Sequence, residues 1–419
     1  MPPDHPSLAA GLDPALPGAI RYAPADPAFV ADPYPAFARL RDAGPIAFDE
    51  ATNQWLISRH ADVSALLRDR RLGRSYLHVA THEEFGRTEP PDWQAPFHAS
   101  QRTQLIDMEP PDHTRLRRLV TMAFTPRRVE SLRPRITDIV DGLVGAARSR
   151  GVFDLLADVI EPLPVAVIAE LLGIPASDRH LLRPWSADMT LMFELTATEA
   201  EQRRAVEATV AFTDYLRHLV RARRDEPRGD LLGELAAVAE AGDHLTEDEL
   251  IGTAILLLNA GHEASVNGAG NAWRALFLHP KALAELRAAP GLVPTAVEEL
   301  LRFDTPAPMF ERWVLEDMEI EGVPVGRGQE LALLFASANR DPRTFVAPDD
   351  LVLDRSPNPH LTFGAGIHFC LGAPLARVEL QVLFQALVEQ LPTMELTAEP
   401  AFKPRFILRG VEALPVRLG

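Results

Sequence analysis

Cysteine occurs once in the 419 residues, at Cys370, within Phe363-Gly364-Ala365-Gly366-Ile367-His368-Phe369-Cys370-Leu371-Gly372. A lone cysteine in a long chain is by default a small buried hydrophobe with an inert thiol. Here three glycines frame it, and Gly366 and Gly372 permit backbone conformations and close approaches that a Cβ would block. Pro374, then Leu375, Val378, Val382 and Ala386 at helical spacing, place the cysteine just before a helix N-terminus. Backbone N–H groups there favour thiolate over thiol and predict a lowered pKa. No second cysteine offers a disulfide, and no paired-cysteine motif offers zinc. A thiolate on such a loop suits one large metal cofactor, and haem iron takes a single protein thiolate in this way.

A second group lies inside the longest helix the sequence predicts. Thr246-Glu247-Asp248-Glu249 is a capping box. Apolar residues then run to Leu278, where His279-Pro280 stops the helix. About 32 residues at 1.5 Å each span on the order of 48 Å, a length needed only to cross a whole domain. Midway stands Ala260-Gly261-His262-Glu263-Ala264-Ser265. Read alone, Glu263 would be a solvated residue on the outer side. Leu256–Leu258 before it and Val266 after it mark the flanks as buried, and a buried charge needs a purpose. Glu299 and Arg302 share a helix face at i, i+3, as His113 and Arg117 do at i, i+4. An isolated pair of either kind would ordinarily be a solvated surface feature.

The elements that must position these residues are mostly helical. Residues 1 to about 30, rich in Pro and Ala, read as an extended surface arm, and residues 31–419 as one domain. Ile46–Phe48 and Gln54–Ser58 predict a short hairpin, followed by a helix burying Val63, Leu66 and Leu67. Residues 76–105 lack periodicity and predict a long functional loop. Helices dominate from about 110 to 302, with breaks at Gly151, Pro162–Pro164, Gly173-Ile174-Pro175, Pro227–Gly229 and Gly242. Strand-like pieces return at Met318–Ile320, Glu330–Leu334 and Phe406–Leu408. The fold class is mainly α with a minor β part.

Composition bounds the rest. With 47% hydrophobic and 24% charged residues the chain can bury a large core. No run approaches the roughly 18–20 apolar residues of a membrane span, and the start lacks the pattern of a signal peptide. A soluble cytoplasmic protein is expected. The net charge of −17, from 42 basic and 59 acidic residues, argues against nucleic acid as a partner.

The segment Phe-Gly-x-Gly-x-His-x-Cys-x-Gly resembles the haem-binding loop of the cytochromes P450, the haem-thiolate monooxygenases, and further family features recur in order from about residue 30 onward. The resemblance implies the P450 fold, with haem b (iron protoporphyrin IX) and no other metal between the long helix and the helix after the cysteine. Cys370 would be the axial ligand, in a loop with Phe363, Gly364 and Gly372. His113, Arg117, Arg312 and His368 match the positions that hold the haem propionates. Glu299 and Arg302 match the family's buried Glu-x-x-Arg pair; Asp350 stands where a third partner is often Arg, so Arg355 is the substitute expected here. Ala260–Ser265 resembles the oxygen-activation motif Ala-Gly-x-(Asp/Glu)-Thr-Thr, with Gly261 and Glu263 matching, Ala264 for the first Thr and Ser265 for the second. That Thr usually hydrogen-bonds dioxygen or a nearby water, which alanine cannot do. Ser265, a water or a hydroxyl on the substrate would then serve proton delivery, with Glu263 as the acid end of the relay.

Substrate-contacting segments of the family map onto residues 76–105, Trp185–Leu195, Leu256–Ser265, Pro306–Phe310 and the terminal turn, including Leu257, Ala260, Gly261, Pro308, Met309, Ile407 and Leu408. Their apolar character selects an apolar or weakly polar small molecule: a polyketide, terpenoid, steroid-like or aromatic compound. The implied reaction inserts one atom of dioxygen into a C–H bond. Since the chain holds no other redox signature, electrons would come from NAD(P)H through a reductase and a ferredoxin. Arg115, Arg118, Arg127, Arg128 and Arg377 form a basic cluster that reads either as a solvated helix face or as a docking patch for the acidic ferredoxin. A monomer without nucleic-acid or membrane partners is expected. A peroxide-driven peroxygenase and a non-catalytic haem ligand-binding protein are the alternatives. The first would carry Arg-Pro in the long helix, where this chain has Glu263-Ala264, and the second would not need Glu263.

Overall fold

The predicted capping box closes. The Glu249 N–H donates to Thr246 Oγ1 at 3.2 Å, and the Thr246 N–H donates to the Glu249 carboxylate at 2.8 Å. From it the helix Glu247–Leu278 runs 32 residues and ends at His279. The computed structural model describes residues 21–194, 196–226, 228–238 and 245–419. The expected breaks at Pro227 and Gly242, Leu195, and the first twenty residues of the arm lie outside it.

Helices Pro162–Leu171, Leu182–Thr190, Glu199–Asp225, Val293–Phe303 and Ala373–Gln390 pack around the long helix. Its faces are apolar nearly all round: Ala254, Leu258, Val266, Trp273 and Leu276 are each at most 2% exposed. Burying each large side chain stabilises by about 1.5–3 kcal/mol, which explains why the helix sits at the centre.

The β part forms a separate wall. One sheet places Ile46–Asp49, Gln54–Ile57, Glu330–Leu333, Phe310–Val314 and Leu72–Gly73 side by side, with only Gln54–Ile57 and Glu330–Leu333 parallel. The predicted hairpin pairs Ile46 with Ile57. A second sheet joins Val152–Asp154, Pro415–Leu418 and Met394–Leu396, and Met318–Ile320 pairs with Val323–Val325.

Several expectations change. Phe406–Leu408 is an irregular turn, not a strand; the terminal strand is Pro415–Leu418. Residues 76–105 are not one loop, since they contain the helix Ala95–Gln101 and short 3₁₀ turns. A seven-residue helix is too short for periodicity to reveal. Nor does the described end of the arm lie on the surface: Tyr22, Phe29 and Val30 are buried, Pro27–Ala31 is helical, and Phe406 packs against Tyr22 and Phe29.

Candidate active site

The cysteine loop is shaped by one glycine above all. Gly366 has φ +70°, and a Cβ there would stand 2.2 Å from the Leu67 carbonyl oxygen. Any other residue would have to move backbone. The Cys370 N–H donates to the Phe363 carbonyl at 2.9 Å, closing the loop before the helix Ala373–Gln390. Gly372 faces the thiol, with room for a Cβ 3.9 Å from Sγ. Arg377 lies over the Phe363 ring at 4.5 Å.

Burial pushes the Cys370 thiol up, and the N–H groups of Gly372 and Ala373, with Arg117 and Arg377, pull it down by less. The helix-terminus effect expected from the sequence is therefore present but outweighed in the chain alone. A bound cation deprotonates such a thiol outright.

Beside the loop stand buried nitrogen side chains with few partners. His113 is 1% exposed, and neither ring nitrogen has a hydrogen-bond partner in the chain. Burial, then His368 and Arg117, push it down to about 4. Its ring lies 4.5 Å from that of His368. Arg312 is 3% exposed and donates to the Glu311 carbonyl at 2.8 Å; burial and then Arg74 lower it to about 9. Glu109 Oε1 stands 3.7 Å from His368 Nε2, beyond hydrogen-bond reach. Arg117 turns to the cysteine loop, donating to the Phe369 carbonyl at 2.6 Å. Arg74, which the sequence analysis missed, joins this group: it is paired with Glu311 at 3.1 Å, stacked 4.3 Å over Phe310, and its buried Nε lacks a partner.

The long helix, buried along most of its length, opens midway. Ala260 is exposed and Gly261, Ala264 and Ser265 are half-buried, whereas Glu263 is 6% exposed. Gly261 packs against Ile168, whose Cδ1 would stand 3.2 Å from a Cβ there, so it does not line a space; Ala260 and Ala264 are the small residues at the opening. Leu257 is mostly covered, at 8% exposed. Ile407 and Leu408 are half-buried in the terminal turn. Pro308 and Met309 do not line a space: Pro308 is buried, and Met309, wholly buried, belongs to a core cluster with Phe29, Phe37 and Phe406. Along that segment Ala307 and Phe310 are the half-buried members.

Glu299 and Arg302 are both fully buried and joined by two hydrogen bonds, of 2.7 and 2.8 Å. Arg355 completes the group with Nε 2.9 Å from Glu299 Oε2. Asp350 contributes its backbone carbonyl to Arg302 at 3.2 Å. The basic cluster is smaller than the sequence suggests. Arg115 pairs with Glu249, Arg128 with Glu234 and Arg377 with Glu298. Arg118 and Arg127 remain exposed, and Arg118 borders a 520 Å³ hollow with Met122, Gly366 and Ile367.

Comparison with known proteins identifies this arrangement. A family model described as Cytochrome P450 matches residues 291–407. Over 400 residues the chain is 37% identical to the polyketide biosynthesis cytochrome P450 PksS of Bacillus subtilis (strain 168), covering 92% of this chain and 96% of that one. The chain belongs to the cytochrome P450 family. This P450 is also 38% identical to the cytochrome P450 monooxygenase PikC of Streptomyces venezuelae, over 93% of the chain and 92% of the relative. Its fold matches that of P450BioI solved with an acyl carrier protein, at TM-score 0.87 and 35% identity, over 94% of this chain and 100% of that one. It is accordingly an oxidoreductase of the monooxygenase type, and family membership implies haem iron. The residues present fit that group. Partly buried propionates need hydrogen-bond donors and positive charge: Arg312 is a buried guanidinium that donates to the neighbouring Glu311 carbonyl, and His113 is a buried imidazole with neither ring nitrogen partnered in the chain. No helix among the described residues is long and apolar enough to cross a membrane.

Proposed function

We propose that this P450 binds haem b as its only metal cofactor through Cys370, and inserts one atom of dioxygen into a C–H bond of an apolar or weakly polar small molecule. Electrons pass from NAD(P)H through a reductase and a ferredoxin to a cytoplasmic monomer. The observation that carries this reading is the group of buried nitrogen donors beside the thiol loop: the Arg312 guanidinium, the unpartnered His113 ring and His368, which stands two residues before Cys370. Haem supplies the activation of dioxygen, using two electrons and two protons per turnover.

The chain's part is to shape, exclude and deliver. The small residues Ala260 and Ala264 give a substrate access to the site, while surrounding apolar side chains exclude water and select apolar surface. Beside Arg74, a 430 Å³ cavity brings Phe97, Met192, Phe193 and Trp313 together with His98, Gln101 and Arg102. Its mixed lining fits a substrate with an apolar body and a polar group at one end. Relatives are named for polyketide biosynthesis and for vitamin D(3) 25-hydroxylation, the latter from Pseudonocardia autotrophica at 39% identity. Such substrates have that character. Turnover of candidate compounds with a surrogate ferredoxin, compared with added peroxide, tests the reading. Turnover with peroxide alone, or none with either, would overturn it.

Proton delivery is where this chain departs from its family's motif. Glu263 is the acid; Ala264 carries no hydroxyl, and half-buried Ser265 follows it. Substrates that bring a hydroxyl or an ordered water beside Ala264 should form product efficiently, and those without should consume reductant and release peroxide. Ala264→Thr should raise product per NAD(P)H consumed several-fold for the second kind and hinder the first by filling its space. Equal coupling of matched hydroxylated and deoxygenated substrates, with Ser265→Ala unchanged, would sink this account.

Electron delivery depends on the thiol side of the site. Arg118, which borders one hollow with the exposed apolar Met122 and Ile367, and the exposed Arg127 are the docking candidates. Arg115 supports the cap of the long helix through Glu249. Arg118→Glu with Arg127→Glu should slow reduction by ferredoxin about tenfold or more at low salt, and raised salt should slow the wild type. Unchanged stopped-flow rates in both tests would return these arginines to an ordinary solvated face.

A further inference from the structure

Glu263 is buried in the middle of the long helix, and two side chains approach it. His262 Nδ1 stands 3.9 Å from Oε1, and Lys403 Nζ stands 3.9 Å from Oε2. The histidine is a poor counter-charge. It is wholly buried, its Nδ1 lies 3.1 Å from Ser186 Oγ, and burial holds its pKa below the ordinary value, so it is neutral at pH 7. From the helix Leu182–Thr190, Arg183 turns to Glu161 at 2.7 Å. Lys403 is the cation left facing the acid.

Lys403 is placed there by the helix that carries Glu263. Phe402 bridges Val411, and the Lys403 N–H donates to the Gly410 carbonyl at 2.9 Å. Asn267 and Asn271, one and two turns beyond Glu263 on the same face, donate to the carbonyls of Leu408 (3.1 Å) and Arg409 (3.0 Å). A Cβ on Gly410 would stand 2.1 Å from Asn267 Oδ1, so only glycine lets the terminal segment come this close. The lysine side chain is 25% exposed and the glutamate 8%, so one end of the pair reaches solvent and the other does not. At 3.9 Å the pair makes no direct hydrogen bond and has the spacing at which a water can bridge.

We infer that Lys403 is the positioning residue for Glu263: its ammonium keeps the buried carboxylate ionised at neutral pH, ready to take a proton from the solvent side. The inference rests on Glu263 as the acid of the relay. A carboxylate this deep without a counter-charge takes up a proton and keeps it, because burial disfavours the charged form. A Glu263 that already holds a proton has no vacancy for one arriving from solvent.

The test uses the holoenzyme and infrared difference spectra, which read the C=O stretch of a protonated carboxyl independently of turnover. Lys403→Met at neutral pH should show this band. It should be absent from the wild type, from Lys403→Arg, and from the double variant Lys403→Met/Glu263→Gln. Product per NAD(P)H should fall about tenfold in Lys403→Met, recover as pH rises and the carboxyl ionises again, and stay near wild type in Lys403→Arg. If Lys403→Met does not fold, Lys403→Gln serves for the same comparison. A variant that lacks the band, or an arginine variant as impaired as the methionine one, overturns the inference and leaves Lys403 a structural residue. If the band appears while Glu263→Gln leaves coupling unchanged, Lys403 still holds the charge of Glu263, and the relay reading is what falls.

Discussion

Cys370→Ser should abolish the long-wavelength Soret band of the reduced carbon monoxide complex and lower turnover by more than about 100-fold. That exceeds the 10–100-fold typical of residues that only support a metal's ligands. The thiolate is the group that binds metal, and an alcohol does not ionise to replace it. The loop itself should survive, since the N–H of residue 370 still donates to the Phe363 carbonyl and Gly366 still passes under Leu67. Unfolding of the haem-free chain should therefore be almost unchanged, which separates loss of a ligand from loss of a fold. A serine variant that keeps the band would overturn the assignment of Cys370. So would freshly purified wild type whose band lies where histidine-ligated haem absorbs.

Glu299→Gln should cost about 3–5 kcal/mol, the usual penalty for removing one partner of a buried ion pair. Its two oxygens accept from Arg302, from Arg355 and from the Val352 N–H at 2.9 Å. A glutamine leaves one oxygen acceptor, turns an amide N–H toward cationic donors, and leaves two guanidinium charges unbalanced in the interior. For a domain stable by about 5–15 kcal/mol this is a large share, so poor yield and low haem content are expected. Arg302 also donates to the carbonyls of Asn339 and Pro348, both at 2.8 Å, so the damage should spread into the segment before the cysteine loop. The measurement is the midpoint of urea or thermal unfolding with haem content. An unchanged midpoint would show that the three-residue group carries no net stability.

What was readable from the sequence is what depends on neighbours along the chain. The capping box at Thr246, the stop at His279-Pro280 and the hairpin at Ile46 follow from side chains acting on backbone within a few residues, and all three stand where expected. The cysteine loop was legible because glycine spacing is a direct record of backbone constraint, and Gly366 bears this out. The Glu299–Arg302 pair was legible as a helix-face spacing, while its burial and the third partner, Arg355, came to the sequence analysis only through family resemblance.

Tertiary structure decided the rest, because charge and burial depend on what packs across long separations. Cys370 carries the expected helix-terminus N–H groups, yet desolvation by distant elements outweighs them. Met309 has the composition of a pocket residue and is core, because the arm bearing Phe29 folds over it. Three arginines of the basic cluster meet acids from other helices. Nothing local to Arg74 marks it as a neighbour of Arg312, and nothing local to Lys403 marks it as the cation facing Glu263. Sequence periodicity reports which face of an element is buried; which charge waits opposite is set only when the elements pack.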